Sequence, residues 1–179
     1  PPAERPKPAS LRQLLAPLRD TPAFSRYLLA SFCVRFGYVV PLALYSIYWV
    51  RHLGASDAIL GLASTVELST LVAGYFLMGR LASRKGHRTI LIVSSVALGL
   101  YPVATALSPT PIWLVPAALL WGFSISGINI SFFEVLFETA PADKRPSFAA
   151  VYTIFANLAN VVGPMLGALL MAELGIQGA

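Results

Sequence analysis

The chain has 179 residues, 56% of them hydrophobic and only 12% charged, with a formal net charge of +5. A soluble domain keeps about 25% of its residues charged to wet its surface, so a mean hydropathy of +0.70 excludes an ordinary soluble globule and points to a lipid bilayer as solvent. The cations fall in short separate segments rather than on one basic face, which is a topology signal, and no nucleic-acid partner is expected.

Residues 1–22 read as a Pro-rich, basic cytoplasmic linker. The opening "PPAERPKPAS" has no initiator Met and no signal-peptide pattern, so the chain reads as a piece of a longer protein. Within the linker Leu11, Leu14, Leu15 and Leu18 share one helical face, which predicts a short interfacial helix weakened by Pro17. Thr21 as N-cap and Pro22 at the first helical position then begin a transmembrane domain over 23–179. Five apolar runs follow, at about 26–50, 58–80, 89–108, 112–136 and 147–172. Each is long enough to cross a hydrocarbon core of about 30 Å. Unbroken runs of this length exclude the alternation of barrel strands, and backbone groups in lipid must satisfy one another. The fold class is therefore all-α, a polytopic transmembrane helical bundle of about five spans.

Few groups inside these spans can do chemistry. The first carries Arg35, Tyr38 and Tyr45, the second Glu67, the fourth Ser126, Asn129 and Glu134, and the fifth Asn157 and Asn160. The third offers only the hydroxyls of Ser94, Ser95, Tyr101 and Thr105, and no substrate role is assigned to it. Cys33 is the single cysteine, read as a packed small hydrophobe, so neither a disulfide framework nor a thiolate metal site can be built. His52 and His87 lie in opposite loops without metal-ligand spacing. No P-loop, dinucleotide fingerprint, zinc motif or nucleophile elbow occurs, so the expectation is no enzyme and no cofactor. Tyr48, Trp49 and Trp113 stand near the outer interface, where an aromatic belt of anchors belongs.

Lys and Arg accumulate in loops that stay in the cytoplasm. Arg5, Lys7, Arg12, Arg19, Arg26, Arg80, Arg84, Lys85, Arg88, Lys144 and Arg145 fall on one side, against Arg51 on the other. The N-terminus and the loop 78–92 are thus expected in the cytoplasm, and the protein in a bacterial inner or plasma membrane.

That loop, "GRLASRKGHR", reads as G-x-L-x-x-R-x-G-x-R directly after a span. It resembles the signature loop of the major facilitator superfamily, which joins the second and third helices of each six-helix half. Gly79, Leu81, Arg84, Gly86 and Arg88 match, whereas Ser83 stands where the family usually has Asp and His87 where it often has Arg. Glu138 and Arg145 in "ETAPADKR" are similar to an E-x6-R element that pairs with the signature loop when the cytoplasmic side is closed. Gly163, Pro164 and Gly167 resemble the G-P-x-x-G of a fifth helix, where the glycines permit close packing and the proline a bend. The resemblance covers residues 23–174, about five helices of one half. The basic lead, the missing Asp and the lack of an embedded Arg in the fourth span suggest the C-terminal half.

The resemblance implies a secondary transporter that moves a small solute by rocking one half against the other. Its partners would be the bilayer, the solute, and the other half of the transporter or a partner membrane subunit. A facilitator-like subunit that carries nothing and serves in assembly is the alternative. Arg35 lies about 13 Å inside its span at 1.5 Å per residue, and Glu67 has a similar middle depth. A charge at that depth is costly unless paired or wetted, so Arg35, Tyr38, Glu67, Ser126 and Asn129 are the candidate substrate or coupling residues. Arg35 and Glu67 are expected to lie close enough to interact, and Glu138 to accept hydrogen bonds from Arg84 or Arg88.

Overall fold

A computed structural model describes residues 21–173. The interfacial helix expected at 11–18 lies outside the described residues. Six α-helices follow in order: α1 (Pro22–Val39), α2 (Leu42–Ile47), α3 (Asp57–Lys85), α4 (His87–Ala106), α5 (Leu114–Thr139) and α6 (Arg145–Glu173). A π-helical turn, Tyr48–His52, extends α2, and a 3-10 turn, Pro111–Trp113, precedes α5. Five stretches, Pro22–His52, Asp57–Lys85, His87–Ala106, Pro111–Thr139 and Arg145–Glu173, are long and apolar enough to cross a membrane. The fold is an all-α transmembrane bundle, with no strand among the described residues.

Local chemistry explains the breaks. Pro22 occupies the first turn of α1, where no N–H is needed, and Thr21 is the N-cap, although its side chain makes no capping bond. Pro41 cannot donate to the helix ladder, and α1 gives way to α2 there. The expected loop at 78–92 is far shorter than its charge suggested. α3 runs to Lys85 and α4 begins at His87, with Gly86 alone between them at φ +84, a conformation that glycine adopts without penalty. At 1.5 Å per residue the 29 residues of α3 span about 43 Å, more than the roughly 30 Å of hydrocarbon. Its last turns therefore project beyond the apolar core, and Arg84 and Lys85 sit where a helix C-terminus favours cations.

α5 is the central helix, with α3 and α4 packed on two of its sides. Small residues let the backbones approach. Gly122 faces the backbone of Glu67 and Leu71, Gly74 faces Ser126, and Gly127 faces Ser94. α1 and α2 pack along α6, where Gly163 meets Val39. A buried cluster including Phe24, Leu28, Ile128, Phe132, Leu136 and Phe148 joins α1, α5 and α6, with the Phe24 and Phe148 rings 4.4 Å apart. The outer faces are apolar, as hydrocarbon requires: α4 exposes Ile92, Val96 and Leu100, and α6 exposes Val161, Met165 and Leu169. Cys33 also lies exposed on α1, not packed as expected.

Candidate functional site

Arg35 sits near the last turn of α1, half-buried, and its Nη2 donates to Asn129 Oδ1 on α5 at 3.3 Å and to Tyr152 Oη on α6 at 3.4 Å. Asn129 Nδ2 in turn donates to Tyr75 Oη on α3 at 3.1 Å. The guanidinium carbon is 6.0 Å from the ring centroid of Tyr38, one turn further along α1. Tyr152 stacks on Tyr27, whose hydroxyl donates to the Phe132 carbonyl at 2.6 Å. Side chains from α1, α3, α5 and α6 thus converge on one cation, and every one of these partners is neutral. A guanidinium is always charged, so the cluster carries a fixed positive charge held by hydrogen bonds.

Glu67 does not neutralise it. The carboxyl group, on α3, lies close to the Trp121 indole of α5 and near Tyr101 of α4. His87 Nε2 lies 4.0 Å from Glu134 Oε2, and Arg35 with Glu67 forms no such contact. The expectation of contact rested on α1 and α3 being neighbours because a short link joins them, but α1 packs along α6 while α3 packs along α5. Between the two charges lie Tyr38 and Trp121, edge to face at 5.6 Å.

Ser126, a candidate from the sequence, is fully buried, donates to the Phe123 carbonyl of its own helix at 2.8 Å and faces Gly74. It packs α5 on α3 and does not join the Arg35 cluster. Asn157 and Asn160 are exposed on α6.

At the other end, Gly79 has nothing closer to an added Cβ than Ile130 Cδ1 at 4.0 Å, so it is no close-packing point, while Gly86 makes the turn. Leu81 is half-buried, and Arg84, Arg88 and Glu138 are exposed. Arg145 Nη2 donates to the Phe137 carbonyl at 3.4 Å and its guanidinium lies 5.7 Å from the Phe137 ring, serving the C-terminal turn of α5. Glu134, one turn before Glu138, faces His87 instead. In α6, Pro164 is inside the helix and Gly163 and Gly167 are buried.

Tyr75, Tyr152, Trp121, Tyr101 and Trp49 were not singled out for this region. Phenols in otherwise apolar spans were the available signal for the first two. Trp49 stands close to a span end, where aromatic residues ordinarily mark the interface, and Tyr101 lies inside the third span, to which no substrate role was assigned. Among the described residues no group of three His, Cys, Asp or Glu could hold a metal ion.

These features define a polytopic helical membrane protein with charged groups turned into the bundle. The family model described as Major Facilitator Superfamily matches residues 27–179, and the chain belongs to that superfamily, whose members are transporters and not enzymes. It is similar to the Multidrug resistance protein MdtL of Shigella flexneri serotype 5b (strain 8401), at 25% identity over 152 residues, 83% of this chain and 39% of that protein. MdtL of Klebsiella pneumoniae (strain 342) has the same identity and coverage. Monocarboxylate transporter 6 of Mus musculus is 24% identical over 159 residues, 86% of this chain and 34% of that protein. The chain thus spans 39% of the length of the MdtL relatives. No solved structure matches.

Proposed function

We propose that the chain is the greater part of one half, the C-terminal one, of a secondary transporter that moves a small solute by alternating access. The other half would come from the same protein, and the site would lie between the halves. Arg35 is the observation that carries this reading. A cation at mid-span, held by Asn129 and Tyr152 with Tyr38 beneath it and with neutral partners, is poorly explained as a structural lock and well suited to an anionic or strongly polar group of a passing solute. The family and the name of one relative, Monocarboxylate transporter 6, support the same activity. The basic turn at Gly86 and residues 1–22 would face the cytoplasm of a bacterial inner membrane, as the distribution of Lys and Arg supports.

The test is transport by the full-length protein in proteoliposomes, against a panel of anionic, zwitterionic and neutral solutes. Arg35→Gln is expected to reduce uptake at least tenfold while the protein keeps its monodisperse profile in detergent. If no solute moves, and single-cysteine labelling finds no exchange between inward and outward accessibility, the chain belongs to a subunit that carries nothing.

A further inference from the structure

Four cations stand around the Gly86 turn. Arg80, Arg84 and Lys85 close α3 and Arg88 opens α4, all of them exposed, and the sequence has no acidic residue between Glu67 and Glu134. Gly86 alone separates the two helices, so the Cα atoms of Arg84 and Arg88 lie within about 14 Å, the reach of four extended residues. Among the described residues no carboxylate pairs with any of the four; Glu134, on α5, has its Oε2 4.0 Å from His87 Nε2 instead. Below the cations both helices turn exposed apolar side chains outward. On α3, Phe76 and Leu77 lie one turn before Arg80, and Phe76 is 77% exposed. On α4, Ile92 and Val96 follow Arg88 at spacings of four and are exposed as well. Arg80 to Lys85 covers about 7.5 Å along the axis, close to the roughly 5–7 Å of polar layer on each side of a bilayer.

We infer that the turn holds an anionic phospholipid of the adjacent leaflet, its phosphate among Arg80, Arg84 and Arg88 and its acyl chains against Phe76 and Leu77 of α3 and Ile92 and Val96 of α4. The order from the turn inward, cation and then apolar side chain, is that of a lipid from phosphate to chain, and both helices repeat it. Guanidinium groups present paired N–H donors that match phosphate oxygens, and their long stems let the charge reach the headgroup layer while the helix stays in hydrocarbon. A basic cluster between two membrane helices at the bilayer surface suits an anionic headgroup. A soluble phosphate would use the arginines but not the apolar flanks. A choline headgroup would set its own cation among four others with no acid from the turn to offset it. Membrane insertion alone would be served by cations anywhere in a loop, whereas these are fixed by two helix ends. The inference needs neither transport nor a particular orientation in the membrane.

Photocrosslinking of the full-length protein in nanodiscs tests this with two probe lipids, a phosphatidylglycerol and a phosphatidylcholine that carry the same diazirine in one acyl chain, each at the same low mole fraction in phosphatidylcholine. Peptide mapping reads the summed yield at Phe76, Leu77, Ile92 and Val96 and, for reference, at Val103 and Leu107, which are exposed towards the other end of α4. In the wild type the anionic probe is expected to exceed the zwitterionic one at least fivefold near the turn, about the contribution of one basic residue at an anionic surface, and to show no preference at the reference positions. The triple variant Arg80→Gln, Arg84→Gln, Arg88→Gln should bring the ratio near the turn close to one. Equal yields of the two probes in the wild type, or the same preference at Val103 and Leu107 as near the turn, overturn the inference without any variant having to fold. Displacement of the anionic probe by millimolar sn-glycerol 3-phosphate overturns it as well, since the cations would then serve a soluble phosphate. So does a folded triple variant that keeps the full preference.

Discussion

The approach of α5 to the backbone of α3 at Gly122 offers a quantitative test. A Cβ added at Gly122 would sit 2.8 Å from the Glu67 carbonyl oxygen, 2.8 Å from Thr70 Cβ and 3.0 Å from the Leu71 nitrogen. Two of those atoms are backbone, so no rotamer change relieves the clash, and α3 must move away from α5 by several tenths of an ångström. Overpacking of this kind costs about 1–3 kcal/mol. A gap of 0.5–1 Å along the rest of the seam also forfeits roughly a quarter to a half of each dispersion contact it opens. About 2 kcal/mol is a reasonable expectation for Gly122→Ala, which is roughly 4–8 °C in Tm for a domain of this size. Gly61, on the same helix as Glu67, is the control, since an added Cβ there meets nothing within 4 Å. Gly61→Ala should leave Tm unchanged or raise it, because alanine is favoured over glycine in a helix by about 1 kcal/mol. Thermal unfolding of the purified full-length protein in detergent, followed by tryptophan fluorescence, ranks the three. A Gly122→Ala protein as stable as the wild type would refute the close α3–α5 seam and, with it, the position given to Glu67.

In a double-mutant cycle on Tm, Arg35→Met and Glu67→Gln should be additive within about 0.5 kcal/mol, whereas Arg35→Met and Asn129→Leu should couple by 0.5 kcal/mol or more; strong coupling of the first pair would restore the ion pair that the structure lacks. Cysteines at Ser83 and Thr110, both exposed, introduced with Cys33→Ser, should react with an impermeant thiol reagent from opposite sides of the membrane, and labelling of both from one side would reverse the proposed topology. Gly86→Ala places a side chain at φ +84 and should destabilise the turn by about 1–2 kcal/mol, read as a lower Tm; no change would mean that the α3–α4 turn is not as described.

How much of this was legible in the sequence depends on which force sets each feature. The spans were, because burying backbone in lipid demands long apolar helices: four of the expected runs lie within an observed helical stretch, and the third, 89–108, overruns His87–Ala106 by two residues. Gly86 was legible as a turn residue for its conformational freedom. Neighbour relations were not. In a bilayer the lipid-facing and protein-facing sides of a helix are equally apolar, so hydrophobic periodicity does not say which face meets which helix. The partners are chosen instead by small residues such as Gly122, Gly127 and Gly74, whose matching faces emerge only in three dimensions. That is why the sequence did not show that Ser126 faces Gly74, and why Arg35 was matched with a helix it does not pack along.

The separation of Arg35 from Glu67 has a chemical consequence. Joined directly, the two would form a buried ion pair, and removal of either would strand the other at about 3–5 kcal/mol. Held apart by Tyr38 and Trp121, each sits in a setting made of neutral polar or aromatic groups. Arg35 is then not taken up by an ion pair within the chain, which is what the proposed role towards an anionic or polar group of a solute requires.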